Sequence, residues 1–302
     1  MARFVKDLSL DKLFKKDEVV SMLVDVHTHI GYVKSFAWNL KGYVLARLED
    51  LLDYMNTVGV DWVIVLSTPG YSDQFSRIVS NEKLLKVVGS DSRLVPFCAP
   101  DPHFSKADKM LEKLVKMGCK GLGEFKVDLK IDDERVLKVL EKADELGLPV
   151  LFHMEDDKYF YDIDALDRIL ERFRNSVYIG HGPGWWKHIS GIESNEAYPK
   201  GNIVKEGKLQ ELLRKHDNIY ADISATSGLN ALKRDIEHAK KFLVEFQDKI
   251  LLGTDFPCLA FDGSQFGPNM HHINFLKSLE LPSSVLEKIL YKNAEKIIEK
   301  VI

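Results

Sequence analysis

The feature that most constrains this chain is a regular alternation of short, continuous apolar runs with stretches of helical spacing. The apolar runs fall at 22–30, 61–67, 94–99, 119–127, 148–154, 176–182, 218–224 and 249–255. Between them lie helix-periodic segments near 44–58 (stopped by Gly59), 75–88, 105–118, 132–147, 162–175, 209–215 and 232–246. Two more, near 272–279 and 284–300, close the chain. Runs that are apolar on both faces are expected in a parallel sheet covered by helices on each side. Eight strand–helix units in 302 residues fit a single-domain (β/α)8 TIM barrel, typically about 250 residues before insertions. A doubly wound open sheet is the alternative, but no Gly-x-Gly-x-x-Gly follows the first run. The barrel is expected over 21–302, after a charged lead-in at 1–20. Gly31–Lys41 is expected to be a loop, and 183–203 a long irregular segment.

Composition narrows the class. The chain has 42 basic and 46 acidic residues, which argues against nucleic acid or an anionic membrane as a partner. No apolar run is long enough to span a bilayer, and residues 1–20 lack a signal peptide's apolar centre. Cys98, Cys119 and Cys258 have no Cys-x-x-Cys spacing and are read as small buried residues of a reducing compartment. The expectation is a cytoplasmic protein acting on a small molecule, with no membrane or nucleic-acid partner. Its oligomeric state is left open.

Chemistry-bearing residues gather at the ends of the apolar runs. The first, Met-Leu-Val-Asp-Val-His-Thr-His-Ile, ends in His27 and His29. Strand side chains alternate faces, so both imidazoles project the same way, as two ligands of one metal ion should. The fourth run ends in Glu124 with Lys126 on the same parity, the fifth in His153 and the sixth in His181. The seventh carries Asp222, and the eighth ends in Asp255. Singly, each has an ordinary explanation: a hydrogen-bonded histidine, a helix cap, a loop salt bridge. Jointly they fall at one end of successive strands, the end where a barrel's βα loops converge and chemistry sits.

This set resembles the amidohydrolase superfamily, most closely its amidohydrolase-related (amidohydrolase 2) branch of hydrolases, lactonases and decarboxylases. Asn293-Ala294 in the last helix is similar to that branch as well. The resemblance implies His27, His29 and Asp255 as ligands of one divalent metal, and His153 as a further ligand of the same ion or a second. It implies that His181 binds a second ion or acts as an acid/base or orienting group. One common version of the pattern has a carboxylated lysine on strand four. Here Glu124 stands there, able to bridge two metals as in TatD-like members, so one-metal and two-metal binding both remain open.

The resemblance implies a metal-dependent hydrolase of an amide, lactone or other ester, with zinc as the expected ion, present as one or two ions. A divalent ion lowers the pKa of bound water from about 15.7 to about 7. Asp255 is expected to take the proton of the attacking water and return it to the leaving group. Asp222 is expected either to fix a histidine tautomer, to contact substrate, or to cap a helix. In the long segment Trp185 and Trp186 either wall the substrate pocket or pack the loop down on the barrel. Tyr198 and Lys200 lie in the same segment. Trp38, Arg47, Asn269, His271 and His272 are weaker candidates, the last two read as exposed. A metal-dependent decarboxylase and a TatD-like nuclease are the rival activities, and a non-catalytic binding barrel is a third reading.

Overall fold

The computed structural model describes residues 22–34, 42–72, 77–89, 91–257 and 271–301. The lead-in, Trp38, Asn269 and Cys258 lie outside the described residues. Among the described residues eleven strands run in chain order: β1 Val24–Thr28, β2 Gly31–Lys34, β3 Tyr43–Ala46, β4 Trp62–Leu66, β5 Arg77–Ile78 and β6 Leu94–Cys98. They continue as β7 Gly121–Phe125, β8 Val150–His153, β9 Tyr178–His181, β10 Ile219–Asp222 and β11 Ile250–Leu251. Eight of them form one sheet in the order β1-β4-β6-β7-β8-β9-β10-β11, and every described ladder in it is parallel. Hydrogen bonds from Val26 N to Leu252 O (2.9 Å), Asp255 N to His27 O (2.8 Å) and His29 N to Phe256 O (2.7 Å) bring the last strand back to the first. The sheet is a nearly closed (β/α)8 barrel, as the alternation predicts.

The helices coat it with their apolar stripes. Helix α1, Leu48–Val58, buries Leu51, Tyr54, Met55 and Val58 at three- and four-residue steps. Gly59 ends it with φ 82°, its N–H capping Met55 O, a conformation that costs glycine nothing. The intervening helices include α2 Asn81–Val88, α3 Ala107–Lys116, α4 Glu134–Glu145, α5 Ile163–Arg172, α6 Pro183–Trp186 and α7 Lys208–Lys215. They are followed by α8 Ala225–Lys233, α9 Ile236–Glu245, α10 His271–Ser278, α11 Ser283–Glu287 and α12 Asn293–Ile298. Asn293 is fully buried, and its side-chain amide donates to Gln247 O and Ile250 O, tying α12 beneath β11.

Three local expectations change. Gly31–Lys41 is not simply a loop, because β2 pairs antiparallel with both β3 and β5 in a small second sheet. Val44 and Leu45 therefore belong to β3 rather than α1, and Leu45 faces outward. Gly31, at φ 118°, permits this: a Cβ there would lie 2.7 Å from Arg77 O. The periodic stretch 75–88 likewise begins with β5, and the helix starts only at Asn81. Finally, the segment 225–245 holds two helices instead of one. Asp235 accepts from His238 N and so opens α9 as its N-cap.

Candidate metal centre

Six of the eight barrel strands bring a site residue to this rim, while β4 and β6 bring none. His27 lies in β1 and His29 just beyond it, Glu124 in β7, while His153, His181 and Asp222 end β8, β9 and β10. Asp255 follows β11 in the left-handed region, φ 60°. Aspartate tolerates that conformation better than most residues, and strain of this kind collects at functional sites.

His27 Nε2 lies 3.1 Å from His29 Nε2. Asp255 Oδ1 is 3.6 Å from the first nitrogen and 3.4 Å from the second. Glu124 Oε2 lies 3.5 Å from His29 Nε2. Donors about 2.0–2.1 Å from a tetrahedral ion are about 3.3 Å apart, so these spacings match the edges of such a shell. On the other side, His153 Nδ1 is 2.7 Å from Glu124 Oε1, and His181 Nε2 is 3.9 Å from the same oxygen. Glu124 therefore stands between the two histidine groups, Oε2 toward His29 and Oε1 accepting from His153 Nδ1 and lying toward His181. Among the candidate ligand sets of the described residues, three overlap at this rim: His27–His29–Glu124, His27–His181–Asp255 and Glu124–His153–His181.

The proton arrangement supports this. His27 Nδ1 donates to Asp222 Oδ2 at 2.7 Å, and His29 Nδ1 donates to Leu66 O at 3.0 Å. An ionised carboxylate and a peptide carbonyl only accept, so both neutral rings carry their proton on Nδ1. Their Nε2 lone pairs then face each other at 3.1 Å, an arrangement that a cation between them resolves. The imidazole and carboxylate donors suit zinc and also manganese, iron or nickel.

Charge is distributed accordingly. Burial pushes the Glu124 carboxyl up, but the His153 hydrogen bond and nearby histidine charge outweigh it and hold Glu124 well below the usual range. Asp255 is treated the same way, burial raising it and His27 and His29 bringing it below its ordinary value. Burial lowers His153, but the Glu124 and Glu155 carboxylates move it net upward.

These groups open into a cavity of about 310 Å³ whose lining includes His29, Glu124, His153, His181 and Asp255. Lys34, Lys126, Glu155, Lys158, Tyr159 and Tyr198 line it as well. The ammonium groups of Lys126 and Lys158 each lie 5.1 Å from the centre of the Tyr159 ring, and Lys158 donates to Glu155 at 2.8 Å.

Not every expected residue belongs to this cavity. Trp185 and Trp186 are buried and do not wall it. The turn α6 directs them into the barrel's flank, where Trp185 packs edge-on against Phe152 and Trp186 donates to Asp222 O. Asp222 is also fully buried and supports His27 rather than touching the cavity. His272 is buried, its Nε2 donating to Ala225 O, because α10 packs that face inward. Arg47 is exposed at the start of α1. Ser224, whose hydroxyl reaches Asp222, His27 and His181, went unread, although it lies two residues beyond Asp222 on the same parity. Lys34 ends β2, and Glu155, Lys158 and Tyr159 lie in the connection after β8, elements whose path the sequence does not reveal.

Comparison with known proteins places this architecture. A search of curated proteins finds no match. A protein described as a probable 2-pyrone-4,6-dicarboxylic acid hydrolase from Acinetobacter baumannii is similar in structure with TM-score 0.60 and 13% identity, covering 92% of this chain and 99% of that one. The 5-carboxyvanillate decarboxylase of Sphingomonas paucimobilis aligns with TM-score 0.55 and 16% identity, over 92% and 99% of the two chains. An amidohydrolase from Burkholderia multivorans aligns with TM-score 0.61 and 10% identity, over 92% and 99%. At these identities the likeness is one of fold. The Amidohydro_2 family profile, described as Amidohydrolase, matches residues 24–299, and members of this family usually bind a metal. The chain, with its strand-end histidines and carboxylates, belongs to the amidohydrolase family.

Proposed function

We propose that the protein is a metal-dependent hydrolase that cleaves an amide, lactone or other ester in a small anionic molecule, with zinc as its ion. The observation that carries this reading is Glu124, whose carboxylate belongs to both the His27–His29 group and the His153–His181 group, a position suited to serving a pair of ions. Ions held by His27, His29, Glu124, His153, His181 and Asp255 would supply hydroxide at neutral pH and polarise the scissile carbonyl.

The chain's own residues then handle the protons. Asp255 is held ionised and lines the cavity, so its carboxylate can accept a proton from attacking water and pass it to the leaving group. His27 and His29 keep their Nδ1 protons on Asp222 and Leu66 O, which aims each Nε2 inward. Charge selects the substrate. Three lysines (34, 126 and 158) and three carboxylates (Glu124, Glu155 and Asp255) line the cavity, so its formal charge is balanced before any divalent ion is added. Each ion leaves it cationic, which favours an anionic substrate by attraction along the cavity.

The test begins with elemental analysis of protein purified without chelator, then a panel of anionic and neutral esters, lactones and amides. Hydrolysis of anionic members with zinc restored, and a kcat at least about 100-fold lower in Asp255→Asn, is the expected outcome. Release of carbon dioxide from a carboxylate substrate without ester cleavage would instead assign a decarboxylase. Near-normal kcat in a folded, metal-loaded Asp255→Asn protein would overturn the role of Asp255.

A further inference from the structure

We propose that Ser224 is a positioning residue that relays the charge of Asp222 to His181, so that one buried carboxylate sets the tautomer of two histidines at the centre. This rests on the reading of His27 and His181 as metal ligands, but its structural content is independent of the reaction catalysed.

Three hydrogen bonds define the relay. Ser224 Oγ lies 2.6 Å from Asp222 Oδ2 and 2.8 Å from His181 Nδ1. Asp222 Oδ2 also accepts from His27 Nδ1 at 2.7 Å. A serine hydroxyl has one proton to give and lone pairs to receive with. The carboxylate only accepts, so the hydroxyl proton goes to Asp222. Ser224 Oγ must then accept, and its nearest remaining partner is His181 Nδ1–H. The direct distance from His181 Nδ1 to Asp222 Oδ2 is 3.4 Å, beyond a strong hydrogen bond, so the serine supplies the link.

The consequence appears at the opposite edge of each ring. A proton fixed on Nδ1 leaves Nε2 with its lone pair, and His181 Nε2 is the atom on the side of Glu124 Oε1. His27 is set directly and His181 through the hydroxyl.

The surroundings leave little freedom. His27 and Asp222 are fully buried, as is Ser224, and His181 is nearly so. Ser224 N–H donates to Asp222 Oδ1 at 2.9 Å, clamping the second carboxylate oxygen. Trp186 Nε1 donates to Asp222 O at 2.8 Å and holds the strand end from beneath. With its carboxylate engaged on both oxygens, Asp222 stays ionised.

The test uses the full chain labelled with ¹⁵N-histidine, freed of metal by chelator and held near pH 8. Ring nitrogen shifts there report tautomers without substrate or activity, and His27→Gln and His181→Gln identify the two sets of signals. Wild type is expected to show both rings protonated on Nδ1. Ser224→Ala is expected to move only the His181 pattern toward Nε2–H or a mixture, while His27 is unchanged. Asp222→Asn is expected to alter both. Zinc titration of Ser224→Ala should show a loss in affinity of about 10–100-fold, the usual effect of removing such a partner. If the alanine chain does not fold, Ser224→Cys preserves the packing with a weaker acceptor and should shift His181 alone. An Nε2–H tautomer for His181 in wild type would overturn the relay. So would an unchanged His181 pattern in the folded serine variant. Correct tautomers with no hydrolysis of any ester or amide would leave the relay standing and count only against the hydrolase reading.

Discussion

His272 offers a test of the fold that needs neither metal nor substrate. Its imidazole is wholly buried where α10 begins and donates to Ala225 O at 3.0 Å. Burial pushes its pKa down from 6.5 to about 4. A depressed histidine is neutral in both folded and unfolded chains above pH 6.5, so its contribution to stability is complete there. As pH falls, the unfolded chain takes the proton first, and stability is lost progressively until the folded pKa near 4. About 2.5 pH units at 1.36 kcal/mol each make the whole loss about 3 kcal/mol, of which about 2 kcal/mol appears by pH 5. His272→Gln keeps an amide N–H for Ala225 O and cannot titrate. Urea unfolding of wild type and variant at pH 7.5 and pH 5, with chelator present, measures the difference. The wild type is expected to lose about 2 kcal/mol more than the variant between the two conditions. Equal losses would mean that the histidine protonates inside the fold without penalty, and the burial argument would fail.

Other consequences are equally direct. Glu124→Gln keeps the shape but removes the charge between the two histidine groups, so, if Glu124 holds two ions, one metal per chain should be lost by elemental analysis. An unchanged metal content would assign Glu124 to a simple ion pair with His153. At Gly253 a Cβ would sit 2.2 Å from Asp222 Oδ1 and 3.0 Å from His27 Cβ. Gly253→Ala should therefore displace the Asp222 carboxylate, lowering stability by about 1–3 kcal/mol and weakening zinc binding. Normal denaturation and zinc titration in that variant would show that the carboxylate is not confined as described.

Much of the barrel was written locally. Continuous apolar runs mark strands buried on both faces, and helix-periodic stretches mark their coats. Both are near-neighbour patterns that survive without tertiary information. The same parity argument put His27 and His29 on one side, and strand-end positions brought Glu124, His153, His181 and Asp255 to the same rim. Tertiary structure decided what each side chain meets. The β2–β3–β5 sheet was not legible, because Val44 and Leu45 satisfy a helical period as well as a strand one until Gly31 pairs with Ala46. Trp185 and Trp186 carry the same composition whether they wall a pocket or fill a core. The turn after Gly182 sends them into the core.

Asp222 shows the division most plainly. By itself an aspartate at the end of a strand suits a helix cap, a substrate contact or a histidine partner equally. Its role depends on His27, 195 positions away in the chain, and on Ser224, whose hydroxyl gains meaning only between that carboxylate and His181. Strand alternation is set by each residue's own neighbours, and so sequence determined which residues reach the rim. Hydrogen-bond partners are set by barrel closure, which brings the first strand beside the last, and only the folded structure decides them.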